Sequence, residues 1–75
     1  MSKAIVLIEM APTASREAVK TLGVIPGVTS VDQVTGSYDI IVRVDAPDLF
    51  AICNIVTGPI HTTRGVIRTV TCLVI

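Results

Sequence analysis

Apolar and polar positions alternate along the chain in a regular order of blocks. Ala4 to Met10 is β-branched and apolar with Glu9 as its only charge, which predicts a strand apolar on both faces. Pro12 and Thr13 break that run. A helix is predicted from there to about Leu22, with Ala18, Val19 and Leu22 on one face and Arg16, Glu17 and Lys20 toward water. Thr13 or Ser15 offers the short side-chain oxygen that caps a helix start, and Gly23 stands where a C-cap glycine would. Ile25-Pro26-Gly27 is turn chemistry.

The second half repeats the first weakly. Val28 to Val34 alternates as a partly exposed strand, and Thr35-Gly36-Ser37 reads as a tight turn. Tyr38 to Val44 is its hairpin partner, with Tyr38, Ile40, Val42 and Val44 on one face and Asp39, Ile41 and Arg43 on the other. Asp45-Ala46-Pro47 stops this strand and opens a second helix, with Pro47 in its first turn and Asp48 near its positive end. Leu49, Ile52, Cys53, Val56 and Ile60 form one helical stripe, and Gly58-Pro59 kinks the helix or stops it at Thr57. Thr62 to Gly65 is a loop, and Val66 to Ile75 is a last strand. Gly27-Val28 and Gly65-Val66 open the last strand of each half.

This order predicts one α+β domain over residues 1–75. It is the ferredoxin-like βαββαβ arrangement, a four-stranded antiparallel sheet with two helices on one face. Composition sharpens the consequence. Hydrophobic residues make up 51% of the 75 and charged ones 16%, with a mean hydropathy of +0.76. A domain this small buries only about 60% of the surface of its unfolded chain. The sheet face without helices would leave Ile5 or its neighbours and Ile41 in water. Packing two such sheets face to face, as in a dimeric α+β barrel, covers them. Phe50 and Ile55 lie off the stripe of the second helix and suggest a second contact between dimers.

A membrane is a poor alternative cover, because no apolar run approaches the roughly 20 residues of a spanning helix. Met1-Ser2-Lys3 is too short for a charged leader. A cytoplasmic protein is expected. Six basic residues balance six acidic ones, so no electrostatic footprint for direct nucleic-acid binding is visible.

Little points to catalysis. Cys53 and Cys72 form no CxxC pair and read as two buried reduced thiols. His61 is the single histidine and reads as a surface loop residue, which leaves no zinc spacing and no base for a nucleophile. The glycines are too scattered for a phosphate loop. Asp32 and Asp39 read as a solvated hairpin before they read as paired catalytic carboxylates. Tyr38 and Phe50, the only aromatics, give base stacking little support. No enzyme activity and no cofactor are expected. Two polar segments remain. In Val34-Thr35-Gly36-Ser37-Tyr38-Asp39, Gly36 exposes backbone groups and Asp39 can accept from an ammonium, or Gly36 only makes the turn and Asp39 only solvates an edge. Thr69 and Thr71 share one strand face, as a small polar site or as an ordinary strand surface.

Together these segments resemble a known family. Ile25-Pro26-Gly27-Val28, then Val34-Thr35-Gly36-Ser37-Tyr38-Asp39-Ile40-Ile41-Val42, then Gly65-Val66-Ile67-Arg68-Thr69-Val70-Thr71-Cys72, is similar to the effector-binding domain of Lrp/AsnC transcriptional regulators over essentially the whole chain. The family's N-terminal helix-turn-helix has no counterpart before the first strand, so the chain resembles the stand-alone members. The resemblance implies homodimers joined through sheet faces, and rings of dimers such as an octamer or decamer. It also implies an amino-acid effector between neighbouring dimers, and mixed assembly with a full-length Lrp/AsnC regulator. It places the ligand at Gly36, Tyr38, Asp39, Thr69 and Thr71. Asp39 and the Gly36 backbone would meet the ligand's α-ammonium or α-carboxylate region, and the threonines would add hydroxyl contacts. Arg64, where the family usually has proline, and Gly58-Pro59 depart from the pattern beside the expected inter-dimer surface.

An amino-acid-binding oligomer therefore leads. A small dimeric ferredoxin-like enzyme of monooxygenase or isomerase type is the alternative from another class, and it calls for an apolar cavity lined by His61 within one chain. A related ACT-type domain would want a glycine in the turn Ala11-Pro12-Thr13-Ala14, and none is there. A pure assembly scaffold without ligand is the last possibility.

Overall fold

The computed structural model describes all 75 residues. Its elements run β1 (Ser2–Met10), α1 (Ser15–Gly23), β2 (Val28–Gln33), β3 (Ile40–Ala46), α2 (Leu49–Ile55) with a π-helical turn (Val56–Ile60), and β4 (Val66–Leu73). The strands pair antiparallel in the order β2-β3-β1-β4. This is the expected ferredoxin-like βαββαβ sheet.

Alternation builds the core. Ala4, Val6, Ile8 and Met10 of β1 pack beside Ile40, Val42, Val44 and Ala46 of β3, and all are buried. Ala18 and Leu22 of α1, Ile25, and Ile52 and Ile60 complete the cluster from the helix side. The opposite residues, Ile5 and Leu7 of β1 and Ile41 of β3, are half-buried on a face that no helix covers. Register places Leu7 between Ile41 and Val70, and Ile5 between Arg43 and Cys72.

The two halves share one joint. Gly27 ends the loop after α1, has φ +97°, and its carbonyl accepts the Asp45 N–H at 2.8 Å. Gly65 ends the loop after α2, has φ +91°, and its carbonyl accepts the Ala11 N–H at 2.7 Å. Each loop is thus tied to the end of the strand that precedes the other half's helix. A Cβ on Gly27 would meet Ile55 of α2, and one on Gly65 would meet Ala14 at the start of α1.

Several local expectations change. Neither Thr13 nor Ser15 caps α1. Ala14 holds that position without a side-chain bond, and Gly23 lies inside the helix. Pro47 precedes α2, whose cap is Asp48 accepting from the Ala51 N–H at 2.8 Å. Pro59 does not stop the second helix at Thr57. It has no N–H to donate into an α-helical ladder, and the turn widens so that the His61 N–H reaches Val56 O at 3.0 Å. Cys53 and Cys72 are both exposed rather than buried, because Cys53 falls at the outer border of its stripe and Cys72 lies on the uncovered sheet face. Ile55 turns inward against the core, while Phe50 remains 75% exposed.

Candidate functional site

The hairpin between β2 and β3 is longer than a tight turn. It spans Val34 to Asp39 and is closed by the Val34 N–H donating to Asp39 O at 2.8 Å. Tyr38 and Asp39 therefore precede the strand expected to contain them. Gly36 sits at the exposed tip with φ +131°, in space no other atom approaches.

Asp39 is anchored. Its Oδ2 accepts the Met10 N–H at 2.7 Å, and its own N–H donates to Ile8 O at 2.9 Å. The β1–β4 register shifts between Glu9 and Met10. Such a bulge takes an amide out of the regular ladder, and the Asp39 carboxylate supplies the partner. The residue the resemblance assigns to a ligand's charged end thus has one oxygen committed to the fold.

A charged corner lies beside it. Glu9 and Arg68 are opposite each other on β1 and β4, on the uncovered sheet face. Glu9 Oε1 lies 3.5 Å from Arg68 Nε, with the Arg68 side chain mostly exposed and the Glu9 side chain half-buried. Arg68 Nη2 donates to Tyr38 Oη at 3.4 Å, and its guanidinium sits 5.8 Å from the ring centroid. Sequence reasoning missed this pair. Its signal was present: Glu9 is the only charge in the apolar run of the first strand, and Arg68 is flanked by apolar residues and threonine.

Thr69 and Thr71 point the other way. They pair with Ile8 and Val6, which are fully buried under the helices. Thr71 joins Leu49, Ile52, Cys53, Val56 and Leu73 around an apolar groove of about 320 Å³ between α2 and β4. One chain therefore brings Tyr38 to Arg68 and Glu9, with Asp39 bonded to the end of β1 at Met10, and does not bring them together with the threonines. A second cleft, about 440 Å³, lies at the β1–α1 turn between Thr13, Glu17 and Arg64. His61 lines neither cleft. No group of three or more His, Cys, Asp or Glu side chains is placed to hold a metal ion, and no helix is long and apolar enough to cross a membrane.

A half-covered antiparallel sheet with an exposed hairpin at one end defines a ferredoxin-like βαββαβ domain. The chain belongs to the Lrp/AsnC ligand binding domain family, whose model matches residues 3–75. A Thermus thermophilus protein is 32% identical, with a TM-score of 0.94 over 100% of this chain and 94% of that one. A feast or famine regulatory protein from M. tuberculosis, solved complexed with L-methionine, shares the fold at a TM-score of 0.84 and 24% identity. That match covers 100% of this chain and 50% of the regulator. A homocitrate synthase from Sulfurisphaera tokodaii is 41% identical over 56 residues, which is 75% of this chain and only 12% of that enzyme.

Proposed function

We propose that the chain is an amino-acid-responsive assembly module that makes no nucleic-acid contact of its own. Two copies pack through their uncovered sheet faces, and pairs join into a ring through the α2–β4 side, where Phe50 projects. The effector sits between neighbouring pairs. Gly36, Tyr38 and Asp39 form one wall, and Thr69 and Thr71 of a neighbouring copy form the other.

One observation carries this reading. Tyr38 meets Arg68 on the uncovered sheet face, whereas Thr69 and Thr71 lie opposite buried Ile8 and Val6 on the other face, which supports a site completed by a second copy. The apolar residues Ile5, Leu7, Ile41 and Val70 give the first interface its driving force, at about 25 cal/mol per Å² of apolar surface removed from water. The family membership and the methionine-bound relative support an amino acid as the effector class. The match to a small part of a homocitrate synthase supports a module that reports to whatever protein carries or contacts it, a full-length regulator included. Balanced charge supports the absence of direct DNA contact.

The test is a thermal-shift screen of the standard L-amino acids, with assembly mass measured beside it. A ligand specific for the folded state at 100 times its Kd adds about 2.7 kcal/mol, and the melting midpoint should rise accordingly. If no amino acid moves the midpoint or the mass, the effector role is lost. If the protein is monomeric at micromolar concentration, the assembly role is lost as well.

A further inference from the structure

We propose that Arg43 and Asp32 select the dimer partner of this chain, each forming an ion pair with the other residue of a second copy across the uncovered sheet face. The proposal rests on the sheet-to-sheet reading above. It deepens that reading by naming what fixes the register of the two copies and which chains the face accepts.

Three observations carry it. First, the face is apolar only at its centre. Residues directly opposite each other on neighbouring strands share a face. The register therefore places Lys3 and Glu9 of β1, Arg43 and Asp45 of β3, Asp32 of β2 and Arg68 of β4 on the same side as Ile5, Leu7 and Ile41. Second, the bases and acids among them balance. Third, Glu9 and Arg68 form the one ion pair within the chain, so Arg43 and Asp32 are exposed without a charged partner. An apolar partner would bury those two charges unpaired, which is strongly unfavourable. A second copy brings one charge of each sign to meet them.

Symmetry decides how they meet. Two identical sheets packed face to face are related by a two-fold axis in the plane of contact. With the axis along the strands, β3 covers the partner's β1 and β2 covers the partner's β4. Arg43 then lies over the partner's Ile5 and Asp32 over the partner's Val70, both against carbon. With the axis across the strands, between Ile5 and Leu7, each strand runs over its own copy reversed. Leu7 then covers the partner's Ile5, and Lys3 meets the partner's Glu9. Asp32 comes over the partner's Ser30, one strand away from the partner's Arg43. Neighbouring strands are about 4.8 Å apart, a gap an arginine side chain spans. This second orientation gives every charge an opposite neighbour, since Asp45 has Lys3 beside it and Arg68 keeps Glu9. The Arg43–Asp32 pair occurs twice in each dimer. A different chain can join a mixed dimer only if it carries a base and an acid at these two positions.

The experiment is charge exchange in the full chain, with dimer mass followed by light scattering on dilution and composition by native mass spectrometry. Arg43→Asp alone and Asp32→Arg alone should each dimerise at least about tenfold more weakly than wild type, because each places like charges opposite each other twice. An equal mixture of the two should recover wild-type affinity as heterodimers, since both pairs are restored between unlike chains. The chain carrying both substitutions should dimerise with itself and exclude wild type. Circular dichroism shows that each variant is folded, and the double variant keeps the test open if a single one is not. A mixture no tighter than its components, or a double variant that exchanges freely with wild type, overturns the assignment. Rescue of Lys3→Asp by Asp45→Lys in a mixture would place the axis along the strands and overturn it too. A wild-type chain that is monomeric at micromolar concentration removes the sheet-to-sheet reading and this proposal with it. A wild-type dimer whose variants fail to complement removes this assignment alone.

Discussion

Asp39 Oδ2 accepts the Met10 N–H at 2.7 Å at the point where the pairing of β1 with β4 shifts. The contact joins the hairpin to the one irregular position of the central strand. A partly buried hydrogen bond to a charged group contributes about 1.5–3 kcal/mol. Asp39→Ala is expected to lose about that amount, while Asp39→Asn, which keeps an acceptor oxygen, should lose clearly less. Urea unfolding of the two variants at matched slope checks it. Equal stability of Asp39→Ala and wild type would show the contact to be idle. Effector binding by Asp39→Ala must be read after this loss is known, because a disordered hairpin also weakens a ligand site.

The paired glycines give a second expectation. Gly65 and Gly27 both have φ in the left-handed region, where a side chain costs about 1–3 kcal/mol. They differ in what a Cβ would meet. At Gly65 it would lie 2.5 Å from the Ala14 Cβ, which cannot rotate away. At Gly27 it would lie 2.7 Å from the Ile55 Cδ1, the free end of a flexible side chain. Gly36 has positive φ as well, at +131°, but a Cβ there would meet nothing within 4 Å, so the backbone conformation is its whole cost. The expected order of destabilisation is Gly65→Ala, then Gly27→Ala, then Gly36→Ala, read as midpoints of chemical unfolding. A Gly36→Ala variant as damaged as Gly65→Ala would contradict the packing account.

Much of this is legible in the sequence because alternation and turn chemistry act locally. Alternation puts Ile40, Val42 and Val44 on one face of β3, and all three are fully buried. The glycine-valine pairs at positions 27–28 and 65–66 mark the two halves, and the structure shows their common joint. What escapes depends on partners distant in the chain. Tyr38 reads as a strand residue, but the Val34–Asp39 backbone bond and the Asp39–Met10 contact keep it in the loop. Nothing local to Arg68 says that it faces Glu9, since register between β1 and β4 is set by the whole sheet. Cys72 reads as a buried reduced thiol because it has no CxxC partner. Its face is covered by no part of its own chain, and composition alone cannot separate the two faces of an edge strand.

The uncovered face supplies the third expectation. Leu7 is central on it, flanked by Ile41 and Val70 on the neighbouring strands. A glutamate there adds a charge at the middle of the proposed sheet-to-sheet contact, where desolvating an unpaired carboxylate is strongly unfavourable. Leu7→Glu is expected to shift the assembly to a folded monomer. Light scattering would give the mass, and circular dichroism would show the retained fold. A Leu7→Glu protein of wild-type mass would rule out this face as the interface.

The cysteines offer the same test without a substitution. Both thiols are exposed in the single chain, but they stand on different sides of it. Cys72 pairs with Ile5 on the uncovered sheet face, whereas Cys53 lines the groove beside α2. A dimer closed through the sheets hides Cys72 and leaves Cys53 in reach of a thiol reagent. Labelling of the wild-type assembly should therefore be biphasic, with Cys53 modified first and Cys72 at the rate of subunit dissociation. Peptide mapping of the labelled protein identifies which thiol reacts. In Leu7→Glu the slow phase should vanish, since the monomer exposes both. If a ring forms through the α2–β4 side, Cys53 should slow in turn at concentrations where dimers associate. Rapid modification of Cys72 in an assembly that stays intact would place the dimer contact elsewhere.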